Sequence, residues 1–65
     1  MRLEINGASH EVAATTLAEV IDQQLGTSRG SAAVVDGDVI PRSQWTTFPL
    51  RDGQRVELIT AVQGG

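Results

Sequence analysis

Along the first six residues apolar Met1, Leu3 and Ile5 alternate with polar Arg2, Glu4 and Asn6, the period of two that leaves one face of a strand to be buried. Asn6-Gly7 follows, a pair that supplies the two positive-φ positions of a type I′ turn, so Ser9 to Ala13 is expected to return antiparallel with Val12 inward. His10 shares the parity of Val12. No serine, cysteine or second histidine is placed to use it as a base, and it reads as a packed or half-exposed strand residue. The period then changes. Leu17, Val20, Ile21 and Leu25 fall at i, i+3, i+4 and i+8, an apolar stripe on a helix whose other face carries Glu19, Asp22, Gln23 and Gln24. Thr16-Leu17-Ala18-Glu19 has the form of a capping box that starts this helix, and Gly26 is suited to end it.

The second half returns to short strands. Gly26 to Ser31 has loop composition; its spacing matches neither the lysine-containing phosphate loop nor the dinucleotide fingerprint. Ala32-Ala33-Val34-Val35 reads as a third strand, Asp36-Gly37-Asp38 as its turn and Val39-Ile40 as a brief fourth strand stopped by Pro41. Pro41 to Trp45 is too short for a helix, and one tight turn there would lay Trp45 on the edge of the core as packing rather than as a binding hot spot. After Phe48-Pro49-Leu50 and an Asp52-Gly53 turn, Arg55 to Ala61 forms the last strand, with Val56 and Leu58 on one face and Ile59 and Ala61 on the other. The helical stripe is expected to pack on Leu3, Ile5, Val34, Val56 and Leu58. This order is α+β, and a right-handed crossover through the helix lets the last strand run parallel beside the first. The expected architecture is a β-grasp: a mixed sheet of four to five strands on one main helix, spanning residues 1–61, with 62–65 as a flexible tail.

Size and charge narrow what such a domain does. A chain of 65 residues buries only about 60% of its unfolded surface and has no room for a core and a deep catalytic cleft. With no cysteine it has neither disulfide nor thiolate metal site, so any sulfur it carries comes from elsewhere. Eight carboxylates against five basic residues give a net charge of −3, which argues against a phosphate-backbone partner. Met1 to Asn6 lacks a long apolar run, and no stretch approaches a membrane span; the expected setting is the cytoplasm, as a monomer on its own.

The chemistry gathers at Val62-Gln63-Gly64-Gly65. Two glycines give a strip of backbone without Cβ, slim enough for a narrow active-site channel, and the tip is a carboxylate ionised at neutral pH. Such a carboxylate attacks the α-phosphate of ATP but resists nucleophiles until activated, so chemistry at Gly65 requires an enzyme that comes to it. Gly64, Gln63 and Val62 form the threading segment, and Ile59 with Ala61, outward on the strand that feeds it, is the candidate face for a partner. The chain itself offers no convergent nucleophile and base, which argues against an autonomous enzyme.

On these residues the sequence resembles the ThiS family of sulfur carriers of thiamine biosynthesis, small ubiquitin-like β-grasp domains. The resemblance rests on Leu3 to Gly7, Val34-Val35-Asp36-Gly37, Ile40-Pro41-Arg42 with Trp45, Leu50 with Asp52-Gly53 and Val56-Glu57, and the terminal Gly64-Gly65. Gln54 stands where such families often carry a second acidic residue. The resemblance implies that Gly65 is adenylated by an E1-like enzyme of the ThiF type and converted to a thiocarboxylate, and that a thiazole synthase of the ThiG type takes the sulfur. ATP and the sulfur donor are then used by the partners, with no cofactor or metal on the carrier. The alternatives are a molybdopterin-type sulfur carrier, against which Pro41-Arg42 and Trp45 tell, and a ubiquitin-like modifier or interaction domain.

Overall fold

The computed structural model describes residues 1–26 and 30–60. Strand β1 (Arg2–Ile5) turns at Asn6-Gly7 into β2 (Ala8–Glu11), with φ of 51° and 84° at the turn residues as a type I′ geometry requires. Helix α1 (Leu17–Leu25) follows, then β3 (Ser31–Val35), β4 (Asp38–Ile40), a 3₁₀ turn at Arg42–Gln44 and β5 (Arg55–Thr60). The five strands form one sheet in the order β2-β1-β5-β3-β4. β5 lies parallel to β1 (Ile5↔Val56) and antiparallel to β3 (Val35↔Val56, Ala33↔Leu58), so the last strand is the central one, as expected of a β-grasp.

Helix α1 begins where the capping box predicts. The Glu19 amide donates to Thr16 Oγ1 at 3.4 Å, and Glu19 Oε1 accepts from the Thr16 amide at 3.0 Å. The two preceding amides have partners too: Leu17 donates to the Phe48 carbonyl at 3.1 Å and Ala18 to the Trp45 carbonyl at 3.0 Å. The first-turn amides, orphans in an isolated helix, thereby tie the 45–48 segment across the helix start. Gly26 ends the helix at φ 73°, its amide on the Asp22 carbonyl at 2.9 Å. Residues 27–29 of the expected loop lie outside the described residues.

Leu17, Val20 and Ile21 are buried against Leu3, Ile5, Val12, Ala33, Val35, Val56 and Leu58, with Leu25 half-buried at the margin. Trp45 closes the edge of this core as expected, 4% exposed, its ring N–H donating to the Ile40 carbonyl at 2.8 Å. Val34 is a correction: Ala33 and Val35 point inward, and Val34 stands half-buried on the opposite face. Four apolar residues in a row carry no alternation, so their phase is set by pairing. Opposite residues share a face, and Val34 is opposite Glu57 and Val39.

Candidate functional site

Strand β5 leads toward the C-terminal segment, and turn residues fasten it at both ends. At its start, Asp36 (φ 50°) donates from its amide to the Arg55 carbonyl at 2.8 Å, while its Oδ1 accepts from the Arg55 amide at 3.0 Å. Gln54 braces the same corner, accepting from the Arg51 amide at 2.7 Å and donating to Asp36 Oδ2 at 3.1 Å. A carboxylate at position 54 has no proton for Asp36, so glutamine is the residue type that completes this corner. Near the other end, the Asn6 carboxamide accepts from the Leu58 amide at 2.8 Å and donates to the Leu58 carbonyl at 3.3 Å.

The outward face of the sheet divides into two halves. Over β1, β2 and the start of β5 it is charged: Arg55 pairs with Glu4 at 2.9 Å and Arg2 with Glu11 at 3.4 Å. Over the end of β5, β3 and β4 it is mainly apolar, with exposed Glu57, opposite Val34, at its border. Ile59 is 53% exposed and Val39 72% exposed; between them, Ile59 is opposite Ala32, and Val39 is opposite Val34. Ile59 is thus outward as its parity predicts, while Ala61 lies outside the described residues. Val39 and Val34 were missed. The signal was present in Asp36-Gly37, because a two-residue turn between positions 35 and 38 sets 34 against 39 on one face.

The tail residues Val62, Gln63, Gly64 and Gly65 also lie outside the described residues. Among the described residues no catalytic constellation assembles. His10, opposite Leu3, is half-exposed. A groove of about 250 Å3 between α1 and the 3₁₀ turn is floored by Ala18, Ile21 and Trp45 and flanked by Asp22 and Arg42, whose guanidinium sits 5.6 Å from the Trp45 ring centre. A second, more open hollow is lined by Glu4, Asp36, Arg55 and Glu57. There Glu4 and Asp36 are already engaged with Arg55 and Gln54. Among the described residues no group of histidines or carboxylates is placed to hold a metal, and no helix is long and apolar enough to cross a membrane.

Comparison with known proteins agrees with this architecture along the full chain. The model of the ThiS family matches residues 3–65. The sulfur carrier protein ThiS of Escherichia coli (strain K12) is 27% identical over 66 aligned residues, covering all of both chains. The crystal structure of the thiamine biosynthesis protein ThiS from Geobacter metallireducens superimposes with a TM-score of 0.82 over the whole of both chains at 22% identity, a likeness of fold.

Proposed function

The chain belongs to the ThiS family, the sulfur carriers of thiamine biosynthesis, which act with partner enzymes rather than as catalysts, and from that premise we propose that its working group is the carboxylate of Gly65. An E1-like, ThiF-type enzyme binds the domain and draws residues 62–65 into its nucleotide site. The Gly65 carboxylate attacks the α-phosphate of ATP and expels pyrophosphate. A sulfur donor at the oxidation level of sulfide then displaces AMP from the acyl-adenylate, leaving a thiocarboxylate that a ThiG-type thiazole synthase consumes. Activation has to come first, because a carboxylate expels oxide far less readily than an acyl-adenylate expels AMP. The domain, residues 1–61, serves as the handle; the tail, residues 62–65, serves as the reagent. Its setting is the cytoplasm.

The observation that carries this reading is the placement of β5. The last strand before Gly64-Gly65 in the sequence is the central one, fastened on both sides, and it sets Ile59 on the apolar half of the open face. An enzyme that docks on Ile59 and the neighbouring Val34 and Val39, with Ala61 as the further expected contact, engages the strand that the tail follows in sequence. The test is intact-mass spectrometry of the chain after incubation with its activating enzyme, ATP and a sulfur donor. The expected product has exchanged one oxygen for one sulfur at Gly65. A terminus found only in amide linkage to target lysines would replace this reading with the ubiquitin-like modifier.

A further inference from the structure

Strand β1 stops short of the end of β5. Its last ladder partner is Ile5↔Val56, and the Asn6 amide makes one more bond, to the Val56 carbonyl at 2.9 Å, before the backbone turns away at φ 51°. On its other side β5 stays paired with β3 as far as Ser31↔Thr60. The amide and carbonyl of Leu58 would therefore face an empty position on the β1 side. Asn6 fills it with its side chain, taking the Leu58 N–H on Oδ1 at 2.8 Å and giving a proton from Nδ2 to the Leu58 carbonyl at 3.3 Å. A carboxamide holds one donor and one acceptor on a planar group, so it reproduces the peptide unit that a longer β1 would have supplied.

The turn itself does not need asparagine. The equivalent turn at Asp36-Gly37 is made with aspartate at φ 50°. What singles out asparagine at position 6 is the second bond, since aspartate accepts from Leu58 but has no proton to return, and glycine reaches neither group.

We propose that Asn6 is a positioning residue for the reactive tail: by bridging both backbone groups of Leu58 it carries two-sided support of β5 beyond the end of β1 and steadies the strand that the tail follows in sequence. This role rests on the tail chemistry proposed above. A strand end already held on both sides loses less freedom when the activating enzyme captures the tail. The contribution therefore appears in capture of the carrier, not in the chemical step.

Asn6→Gly separates bridge from turn, because glycine accepts positive φ and removes only the carboxamide. Hydrogen exchange of the Leu58 amide reads the bridge, and the KM and kcat for adenylation read the positioning. In folded Asn6→Gly the Leu58 amide is expected to exchange at least about tenfold faster, and KM for the carrier to rise about tenfold with kcat unchanged, the scale of ordering one further residue. Asn6→Asp, which keeps the acceptor, should protect Leu58 and give an intermediate KM. An unaltered Leu58 exchange rate in Asn6→Gly overturns the bridge, and an unaltered KM with Leu58 freed overturns the positioning role. If the wild-type chain is not adenylated at all, the reading of the tail fails and this role falls with it.

Discussion

Asp36 and Arg55 hold each other through two reciprocal hydrogen bonds, backbone amide to carbonyl at 2.8 Å and backbone amide to carboxylate at 3.0 Å. The Arg55 amide, with the Gln54 side chain adding to it, keeps the Asp36 carboxyl below the ordinary carboxylate range. A carboxylate whose folded pKa is depressed stabilises the fold above its unfolded value and loses that contribution as pH falls through the folded one. Asn at 36 still accepts from Arg55 and tolerates positive φ. Asp36→Asn, which also sets an amide NH2 against the Gln54 donor, is therefore expected to be less stable than wild type in urea melts at pH 7 and to lose less stability on acidification, so that the two curves converge in acid; equal acid losses in the two proteins would show that the carboxylate adds nothing.

Glu19 extends the same logic to the helix start. Its Oε1 accepts from the amide and hydroxyl of Thr15 at 2.9 Å each and from the amide and hydroxyl of Thr16 at 3.0 and 3.1 Å. These bonds, the Thr15 amide foremost, lower its pKa from 4.5 to about 2. Its contribution is complete above pH 4.5 and is lost between there and about pH 2. Glu19→Gln, which keeps an acceptor without the charge, is expected to flatten that part of the pH profile of the melting temperature. Thr16→Ala should cost about 1 kcal/mol at neutral pH by removing the cap itself.

The stripe predicts its own hierarchy. Ile21 is 2% exposed, while Leu25 is only half-buried at the margin. Ile21→Ala is expected to cost about 2–5 kcal/mol, most of the stability of a domain this small, and Leu25→Ala distinctly less. Urea melts of the two variants give the ranking, and the reverse order would move the centre of the core toward the helix end.

Elements with a two-residue or capped signature were legible in the sequence, because their geometry is decided locally. Asn6-Gly7, the Thr16 and Glu19 box and Gly26 all fall where the residue types place them. Alternation placed Leu3, Ile5, Val56 and Leu58 inward and Ile59 outward. Where alternation vanishes, as in Ala32 to Val35, pairing across the sheet sets the phase, and Val34 lies on the face opposite the core rather than in it. The same missing register concealed Val39. The bonds of Asn6 to Leu58 and of Gln54 to Asp36 are long-range consequences of topology, spanning 52 and 18 positions, and a turn preference alone does not announce them.

If the apolar half of the open face receives the activating enzyme, charge placed there should weaken docking without unfolding the domain. Ile59→Asp and Val39→Asp alter exposed side chains. Each is expected to leave the amide spectrum dispersed, and Ile59→Asp to weaken complex formation by about 2 kcal/mol or more, as for a hot spot. Arg2→Ala, on the charged half, serves as the control. Calorimetric affinities unchanged in both aspartate variants would move the docking site off this face.

The sharpest test falls on the bare backbone at Gly64. Gly64→Val places a β-branched side chain on the segment that has to enter a close-fitting channel, three residues beyond the proposed domain boundary at 61. Its melting curve is expected to match wild type while adenylation falls by orders of magnitude. Deleting Gly65 acts differently: the slim backbone remains, but the carboxylate stops about 3.3–3.6 Å short, the reach of one extended residue. A displacement of even about 1 Å can cost about 10²-fold in rate, so this variant should bind the activating enzyme and fail to exchange pyrophosphate with ATP. The two lesions separate in a binding measurement, where Gly64→Val loses affinity and the deletion keeps it. Wild-type rates of thiocarboxylate formation in both would dissociate the Gly-Gly end from sulfur transfer and leave the domain as an interaction module.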